Sequence, residues 1–418
     1  MTPRRIAVAG AGMAAARFAH QALSLAGPGE LEITLYGREP HAPYNRALLT
    51  GVLAGRYGPA TPGLPTGGAV VRAGTEVTAL DPAARTLRTA TGETARYDAL
   101  VLATGAAPLP PPAPEAPVAD RRDTNGRPGA ERHAPRRGVH VLRSLADAAR
   151  LTEDVPLARR ATVVGGGALG VDAARVLAER GLPVRLMHRA PHLMNRHLDA
   201  GAAAVVRRGL EAAGVTVTTG QEVTALLGGR RVTGLAFADG GRHATDLVVF
   251  AQGVRPRTRL ARAAGLTVRD GVVVDDTLAT SAPGVYAIGD CAEHRGVVHG
   301  RAEAAWAQAD VLAARLSGAR PDARYAGSPR YLRLSAGGLQ IAAIGDCTGD
   351  DGPHTDSVHL ADATRGTYKK LLLRGDRLVG AVLVGDVTGV ADLTAVHERG
   401  EPLPRDPLHL LTTEGALQ

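Results

Sequence analysis

Two glycine-rich loops constrain this chain most, because each stands between a predicted strand and a predicted helix. Residues 5–9 predict a buried strand, Gly10-Ala11-Gly12 follows, and an alanine-rich helix at 13–26 leads to a second strand at 31–36. The same order recurs with a strand at 161–164, a loop at 165–170, a helix at 169–180 and a strand at 184–188. In this context the glycines permit a tight turn and let backbone N–H groups reach a pyrophosphate at the helix N-terminus. The sequence therefore predicts two dinucleotide sites.

The repetition extends beyond the loops. Each unit continues into a predicted meander of short strands, and the pentapeptide EVTAL occurs in both, at residues 76–80 and 222–226. Each meander leads to a buried strand, at 98–103 and 246–250, which stops at Ala-Thr-Gly or Ala-Gln-Gly. This self-similarity indicates duplication of a whole unit. We therefore predict an α/β fold with two Rossmann-like dinucleotide-binding domains, the second inserted in the first, followed by a small β-rich α+β domain.

A late apolar strand, at 285–288, runs directly into Gly289-Asp290. Glycine allows the backbone to approach a ligand closely, and a carboxylate can accept hydrogen bonds from ligand hydroxyl groups. A strand of this kind, downstream of two dinucleotide loops, completes a flavin site on the first of them. We therefore predict that Gly289 and Asp290 converge with Gly10 and Gly12 on one ligand.

Composition divides the chain further. Residues 108–137 include PLPPPAPEAP and ADRRDTNGRPGAERHAPRR, which are too rich in Pro and charge to form a core. They predict a flexible linker at 113–137, with a nucleic-acid-binding arm as the alternative. We expect the first dinucleotide-binding domain at 1–112 and 247–326, the second at 138–246, and the C-terminal α+β domain at 327–418.

The residue counts and the absence of certain motifs argue against several functions. Only three Phe and one Trp occur among 418 residues, which argues against stacking on nucleic-acid bases. Two cysteines without Cys-x-x-Cys exclude a thioredoxin-reductase-type disulfide and a four-thiolate cluster, while free thiols and a Cys291–Cys347 bridge both stay open. Neither His-Glu-x-x-His nor Gly-x-Ser-x-Gly occurs, so we predict no metal site and no hydrolytic chemistry. Without a signal-peptide or membrane-spanning pattern, we expect a cytoplasmic protein.

Together these features resemble the flavoprotein reductases with two dinucleotide domains, and more narrowly the FAD/NAD(P)H-binding part of the assimilatory NAD(P)H nitrite reductase large subunit. The stretches that carry the resemblance are REPHAPYNRALLTGVLAG (38–55), HLMNRHLD (192–199), GDCAEHRG (289–296), Trp306-Ala307-Gln308 and YKKLLLRGDRLVGAVLVGD (368–386). The resemblance covers nearly the whole chain except the linker. Two departures matter: Thr50-Gly51 stand where related ferredoxin reductases carry a Lys, and the iron–sulfur and sirohaem modules have no counterpart here. We therefore do not expect this chain to reduce nitrite by itself.

The resemblance implies FAD and NAD(P)H as cofactors and a set of binding residues for each. The FAD residues are Gly10, Gly12, Met13, Ala14, Glu39, Asn45, Arg46, Val77, Ala103, Thr104, Gly105, Gly289 and Asp290. Glu39 would accept from the adenosine ribose, with an ordinary solvated Glu as the alternative, and Arg46 could equally be a surface turn residue. The NAD(P)H residues are Gly165, Gly167, Ala168, Leu169, Gly170, His188, Arg189 and Gly253.

Two further assignments follow from the resemblance. The second strand tip reads Met187-His188-Arg189 and lacks the acid that would bind a free 2′-hydroxyl of NADH, so Arg189 favours NADPH slightly. No catalytic side chain is certain, since the flavin carries the chemistry. Trp306, Gln308 and Asp172 are candidates for the flavin face, with core packing as the alternative for Trp306.

Three functions fit the sequence. The first is an electron-transfer reductase that passes electrons to a separate metalloprotein in nitrite or nitrate assimilation, where the net charge of +8 would suit an acidic partner. The second is a stand-alone reductase or oxidase acting on a small molecule or O₂. The third is a flavoprotein that senses nucleotide redox state without turnover. We expect neither a nucleic acid nor a membrane as partner.

Overall fold

A computed structural model describes residues 2–58, 63–113, 136–347, 355–403 and 407–412. The chain forms two compact units. The first comprises residues 1–49, 57–109 and 254–328, and the second comprises residues 50–56, 110–253 and 329–418. Most of the predicted linker, residues 114–135, lies outside the described residues.

The strands and helices follow the predicted order. The strands are β1 (Arg4–Ala9), β2 (Leu31–Tyr36), β3 (Val70–Arg72), β4 (Val77–Asp81), β5 (Thr86–Thr89), β6 (Thr94–Arg96), β7 (Ala99–Leu102), β8 (Ala106–Pro108), β9 (Val139–Val141), β10 (Ala161–Val164), β11 (Val184–His188), β12 (Val215–Thr219), β13 (Val223–Leu227), β14 (Gly234–Phe237), β15 (Arg242–Ala244), β16 (Leu247–Phe250), β17 (Val254–Pro256), β18 (Val272–Val274), β19 (Val285–Ala287), β20 (Ala292–His294), β21 (Tyr331–Ala336), β22 (Leu339–Gly345), β23 (Asp356–Asp362), β24 (Thr367–Arg374) and β25 (Arg377–Val384). The α-helices are α1 (Met13–Leu25), α2 (Leu49–Leu53), α3 (Leu145–Asp154), α4 (Ala168–Glu179), α5 (Ala200–Ala212), α6 (Arg259–Ala263), α7 (Ala302–Leu316), α8 (Val390–Arg399) and α9 (His409–Thr412).

The first unit is built on a parallel five-stranded sheet in the order β19-β7-β1-β2-β3. Its strands are apolar and largely buried because helices cover a parallel sheet, and α1 packs against α7. An ion pair between Arg17 and Asp310, 2.7 Å apart, joins these two helices. The carboxyl ends of β1, β7 and β19 therefore meet at one edge, which is where ligands bind in sheets of this kind.

The second unit repeats this arrangement. Its parallel sheet runs β12-β11-β10-β16-β9, and β10 pairs with β11 and β16 as β1 pairs with β2 and β7. This confirms the predicted fold class. The predicted return to the flavin domain at residue 247 is wrong for one element, because Leu247–Phe250 forms β16 inside the second sheet. The other predicted domain boundaries stay predictions.

The repeated EVTAL sequence gives the same irregular strand twice. β4 pairs with β5, and β13 with β14, and both pairings are antiparallel. The register shifts between Val77 and Ala79 in β4, and between Val223 and Ala225 in β13. A β-bulge at the same place in both copies indicates that the duplicated residues encode the backbone irregularity itself.

The C-terminal residues form an antiparallel sheet in the order β21-β22-β25-β24-β23. It packs within the second unit, because α4 contacts β21 and α5 contacts β24 and β25. Asp199, the N-cap of α5, accepts hydrogen bonds from Tyr368 (2.8 Å) and lies 3.1 Å from the Lys370 ammonium. Two of the stretches behind the family resemblance, 192–199 and 368–386, thus meet at this contact.

In the part of the chain that the structure describes, no helix is both long and apolar enough to cross a lipid bilayer. Over the same residues, no group of three or more His, Cys, Asp or Glu side chains could hold a metal ion. Cys291 and Cys347 are both buried and free, which decides against the Cys291–Cys347 bridge.

Both described ends of the predicted linker bind the same residue, so removing residues 114–135 should cost little. Ala113 accepts from the Leu226 N–H (3.3 Å), and the Arg136 guanidinium donates to the Leu226 carbonyl (3.3 Å). A short Gly/Ser bridge can therefore join the ends, and shortening the closed loop about fourfold changes closure entropy by only roughly 1 kcal/mol. We expect unchanged flavin content and NAD(P)H oxidation and an almost unchanged thermal midpoint. A full-length Gly/Ser replacement is the control, and a collapsed midpoint or lost turnover would show that these residues are functional.

Candidate functional site

The helices that follow the two glycine loops begin without a side-chain cap, as α7 and α8 also do. Gly12 and Gly167 are the N-caps of α1 and α4, and neither has a side chain to satisfy the first N–H groups. By contrast, Ser144 caps α3 with a capping box, and Asp199 caps α5. Because the first N–H groups of a helix have no intrahelical partner, α1 and α4 present free donors and a positive dipole end to an anion.

The position of each glycine shows why the motif is needed. A Cβ on Gly10 would lie 2.1 Å from the Ala103 carbonyl oxygen, and one on Gly165 would lie 2.3 Å from that of Ala251. A Cβ on Gly12 or Gly167 would meet no protein atom within 4 Å. The first glycine of each loop is therefore required by the adjacent strand, while the second faces open space. That space is where a bound pyrophosphate fits.

The structure brings Gly289 next to the helix that follows the first loop, while convergence of these residues on one ligand stays a prediction. Gly289, with φ +75°, lies against the first turn of α1, since a Cβ there would come within 3.0 Å of the Ala14 Cβ. Asp290 follows in a short 3₁₀ turn, partly buried, beyond the end of β19. Ala103 follows β7 at the same sheet edge. Thr104 donates to the Arg257 carbonyl (2.8 Å), and the Gly105 carbonyl accepts from the Arg257 N–H (2.9 Å).

Glu39 belongs to a cluster of three side chains. One of its oxygens accepts from the Tyr44 hydroxyl (2.6 Å) and the other from Arg46 (2.5 Å), while Arg46 also donates to the Tyr44 oxygen (3.0 Å). Burial alone would raise the pKa of Glu39, but these hydrogen bonds outweigh it and the pKa lies below its ordinary value. Glu39 and Arg46 are about three-quarters buried, so neither is an ordinary surface residue. A carboxylate has further lone pairs, so Glu39 can still accept from a ribose hydroxyl.

The remaining residues assigned to the first site have mixed positions. Met13 and Ala14 form the first turn of α1, and Val77 is buried at the bulge of β4. Asn45 accepts from the Ala47 N–H (3.0 Å), so its carbonyl caps the turn at Arg46–Leu48 and only its amide group stays available.

A cavity of about 500 Å³ lies in the second unit, beyond the end of β11. Its lining residues are Arg189, Ala190, Gly220, Gln221, Glu222, Phe237, Ala238 and Asp239. Arg189 is exposed just after the end of β11, and its contact with a 2′-phosphate stays a prediction. The two ring nitrogens of His188 bond within the second unit, to Gly166 (3.1 Å) and Asn195 (3.1 Å). Both nitrogens are therefore engaged, which leaves none for a direct contact with the coenzyme.

The model of the pyridine nucleotide-disulphide oxidoreductases matches residues 4–309, and that of the rubredoxin NAD⁺ reductase C-terminal domain matches residues 331–400. The chain belongs to the pyridine nucleotide-disulphide oxidoreductase family. It is 35% identical over 92% of its length to a nitrite reductase [NAD(P)H] of Bacillus subtilis (strain 168), covering 46% of that protein. It is 32% identical over 92% of its length to the assimilatory nitrate reductase electron transfer subunit of the same organism, covering 48% of it. The chain thus spans about half the length of these relatives.

Among solved structures, the chain is similar to the ferredoxin reductase for the CYP199A2 system of Rhodopseudomonas palustris. The TM-score is 0.78 at 27% identity, over 93% of this chain and 92% of that one. The resemblance predicted from the sequence is confirmed, as are FAD and NAD(P)H as cofactors and NAD(P)H oxidoreductase as the class of enzyme. The open space beside Gly12 and Gly167 fits these two dinucleotides.

Although the family is named for a disulfide, neither thiol of this oxidoreductase is placed for redox chemistry. Cys291 is fully buried, with its sulfur 3.3 Å from the Ile288 carbonyl oxygen, and burial raises its thiol pKa. Burial likewise raises the pKa of Cys347 to about 11. This environment fits a packing role for Cys291.

Gln308 does not cover the flavin face. Its side chain is 1% exposed, and its carbonyl oxygen accepts from the Gly289 N–H (2.7 Å). Gln308 therefore holds the Gly289 turn from behind, and this fixes the backbone that presents Asp290. Trp306 lies two residues earlier on α7 and is partly buried, and its role stays a prediction.

Asp172 lies on α4 in the second unit, with one carboxylate oxygen buried and without a hydrogen-bond partner among the described residues. Burial raises its pKa, and interaction with Thr50 partly offsets the shift. Thr50 is itself 5% exposed. Burial thus favours the protonated form of Asp172, which lies beside a buried hydroxyl. Ala168 and Leu169 form the first turn of α4, and Leu169 is 40% exposed.

Two further glycines were assigned to the second site. Gly170 is required by packing, since a Cβ there would lie 1.7 Å from the Gly165 carbonyl oxygen. Gly253, with φ +113°, follows β16 as Gly105 follows β7.

Sequence reasoning missed three residues at these sites. Tyr44 was quoted in a family stretch but given no role, although it links Glu39 to Arg46. Gln221 and Glu222 line the cavity beside Arg189. The EVTAL repeat could have pointed to Gln221 and Glu222. Val77 had been assigned to the first site, its counterpart in the second unit is Val223, and Gln221 and Glu222 directly precede Val223.

Proposed function

We propose that this chain takes hydride from NAD(P)H onto its bound FAD and passes the electrons to a separate, acidic metalloprotein of nitrite or nitrate assimilation. One observation carries the proposal. The chain holds two dinucleotide loops, but its only two cysteines are buried and unpaired, so no disulfide or thiolate centre of its own can follow the flavin. Support comes from the relatives named nitrite reductase and nitrate reductase electron transfer subunit.

Bound at these sites, FAD supplies the acceptance of hydride and the release of electrons. The chain's own part is binding, orientation and exclusion of water. The uncapped N–H groups of α1 and α4 bind the two pyrophosphates, and Glu39, kept ionised by its low pKa, accepts from the ribose. Asp290 accepts from the ribitol or pyrophosphate region on the turn that Gln308 holds. No side-chain acid or base is needed for hydride transfer.

A basic segment near the first site would suit an acidic partner. Residues 247–269 contain five Arg and no Asp or Glu. Within them, Arg255, Arg259 and Arg262 are exposed on β17 and α6. Two hydrogen bonds tie this segment to Thr104 and Gly105 beside the flavin site. A positive surface close to the flavin would steer an acidic redox protein towards it.

Charge reversal tests this proposal. Changing Arg255, Arg259 and Arg262 to Glu should lower kcat/KM for an acidic iron–sulfur or haem protein by at least about tenfold at low salt, because steering depends on local charge. The wild-type rate should itself fall with ionic strength, as the Debye length shrinks from about 10 Å at 0.1 M to roughly 3 Å at 1 M.

The matched control reverses three exposed arginines on the meander of the same unit, Arg85, Arg88 and Arg96. An uncharged quinone as acceptor reports whether either variant has damaged the flavin site. Equal losses in both triple variants, or a protein-acceptor rate that does not change with salt, would contradict docking at this segment.

Coenzyme choice should depend on Arg189. If it meets the 2′-phosphate, Arg189→Ala should weaken NADPH use by about 1.5–3 kcal/mol, the scale of one charged hydrogen bond, with little effect on NADH. Glu222 lines the same cavity and would repel a 2′-phosphate, so Glu222→Gln should shift the preference towards NADPH. Arg208→Ala, which removes an exposed arginine from α5, is the control. Equal losses for both coenzymes in Arg189→Ala would remove its role.

A further inference from the structure

His188 uses both of its ring nitrogens inside the second unit. Its Nδ1 lies 3.1 Å from the Gly166 backbone nitrogen, which can only donate, so Nδ1 must carry a lone pair. Its Nε2 lies 3.1 Å from the Asn195 Oδ1, which can only accept, so Nε2 must carry the hydrogen. Both contacts are satisfied by one species, the neutral Nε2–H imidazole. An imidazolium would place two donors face to face at Gly166.

The middle glycine of Gly165-Gly166-Gly167 leaves room for this ring. A Cβ on Gly166 would lie 2.7 Å from His188 Cγ. The first unit shows the reverse arrangement, since the N–H of Gly10 bonds to Tyr36 as that of Gly165 bonds to Met187. There the middle position is Ala11, and the residue after the strand is Gly37, whose Cβ would lie 2.8 Å from that of Ala11. In the second unit His188 thus stands at the position of Gly37, and Gly166 stands at the position of Ala11.

The Gly166 peptide is held on its other side as well. Its carbonyl accepts from the Met194 N–H (2.8 Å), and Met194 has φ +51°, in the left-handed region that non-glycine residues rarely adopt. The segment 192–199 therefore clamps the loop at two points, through Met194 directly and through Asn195 by way of His188. With the Gly166 N–H turned towards the ring, the following N–H groups at the start of α4 are the donors left for the coenzyme.

We propose that His188 is a positioning residue for the coenzyme: its neutral ring orients the Gly166 peptide so that the next N–H groups face the pyrophosphate, and protonation of the ring releases that peptide and weakens coenzyme binding. This rests on the assignment of residues 165–170 to the coenzyme. Binding is then coupled to loss of a proton from His188, and affinity falls in acid.

The surroundings of His188 keep it neutral. Burial lowers its pKa from the ordinary value, the Asn195 contact opposes this, and positive charge at Arg189 and His192 lowers the pKa further. Arg189 adjoins it on β11, and His192 lies on the segment that follows. The glycine loop and Thr219, its partner on β12, contribute no charge. The ring is therefore neutral at and above neutral pH, and the coupling appears only as the pH falls through its lowered pKa.

Calorimetric binding of ADP-ribose to the FAD-loaded chain, from about pH 8 to about pH 5, tests the proposal, because this probe has the pyrophosphate but no nicotinamide or 2′-phosphate. The wild-type Kd should rise by up to roughly tenfold for each pH unit below the pKa of His188. His188→Asn offers an acceptor near the Nδ1 position and does not titrate, so it should bind as tightly as wild type at pH 8 with a flat profile. His188→Ala should bind about fivefold more weakly at pH 8, since the loop loses its acceptor.

His192→Asn is the matched control and should keep the wild-type slope, because the His192 ring bonds to the Leu193 carbonyl (3.2 Å) and not to the glycine loop. Removing its charge should only move the onset to slightly higher pH, since His192 lowers the pKa of His188. The absorbance of the bound flavin should be constant over the pH range, which separates this effect from unfolding. Gly167→Val should abolish ADP-ribose binding, and it thereby tests the assignment of residues 165–170 to the coenzyme. A wild-type Kd that is flat or tightens in acid overturns the proposal, because His188 would then be idle or acting as a cation. A sloping profile in His188→Asn also overturns it.

Discussion

The Gly12→Val variant should fold and lose its flavin. Wild type should be yellow with one FAD per chain. The valine meets no protein atom within 4 Å at its Cβ and Gly12 has an ordinary negative φ of −95°, so the fold tolerates it. The same side chain would occupy the space of the pyrophosphate and cover the free N–H groups of α1. We expect FAD retention below about a tenth of wild type, a loss of at least about 1.4 kcal/mol in binding. Absorbance in the flavin band measures the loss of FAD, and circular dichroism measures whether the variant has folded.

Gly167→Val is the reciprocal control. It should retain FAD, since it lies in the other unit, but NAD(P)H should no longer reduce that flavin at an appreciable rate. Gly10→Val should instead fail to fold normally, because its Cβ would meet the Ala103 carbonyl at 2.1 Å and its φ of +127° disfavours any side chain. Full flavin occupancy in Gly12→Val, or loss of flavin in Gly167→Val, would show that the two sites have been misplaced.

The two parallel sheets could be predicted from the sequence because their strands are short and mostly apolar, and several of them run into a glycine. Leu31–Tyr36, Ala161–Val164 and Val184–His188 have the predicted bounds, since burial on both faces leaves little choice of register. The boundary at 247 failed for the same reason. An apolar run at 247–250 could end either copy, and only its pairing with β10 assigns it.

The contacts between side chains at the two sites were harder to predict from the sequence. Motif spacing located Glu39 and Arg46, but their link through Tyr44 depends on how the chain turns between them. Gln308 was assigned to the flavin face because it stands in a family stretch, whereas the helix rotation of α7 turns it towards Gly289. The tautomer of His188 depends on a backbone N–H 22 residues away, and no local pattern encodes that contact.

The destination of the electrons is the second large prediction. This oxidoreductase has no cysteine pair, and its described residues include no group that could hold a metal cluster. The electrons should therefore leave the flavin for something outside the chain. We therefore expect rapid NAD(P)H oxidation with ferricyanide or a tetrazolium dye and slow direct reaction with O₂. Reduction of nitrite to ammonium takes six electrons and occurs at a metal centre. The described residues contain no group of side chains that could hold a metal ion. Nitrite should not be consumed.

The most direct test supplies the FAD-loaded chain with NAD(P)H and, in parallel, with ferricyanide, O₂ or nitrite as the sole acceptor. Coenzyme absorbance gives the rate in each case, and the remaining nitrite is assayed chemically. The account predicts turnover that is at least about tenfold faster with ferricyanide than with O₂, and a nitrite concentration that does not change. Consumption of nitrite by the isolated chain, or O₂ as its best acceptor, would contradict the assignment as an electron-transfer reductase.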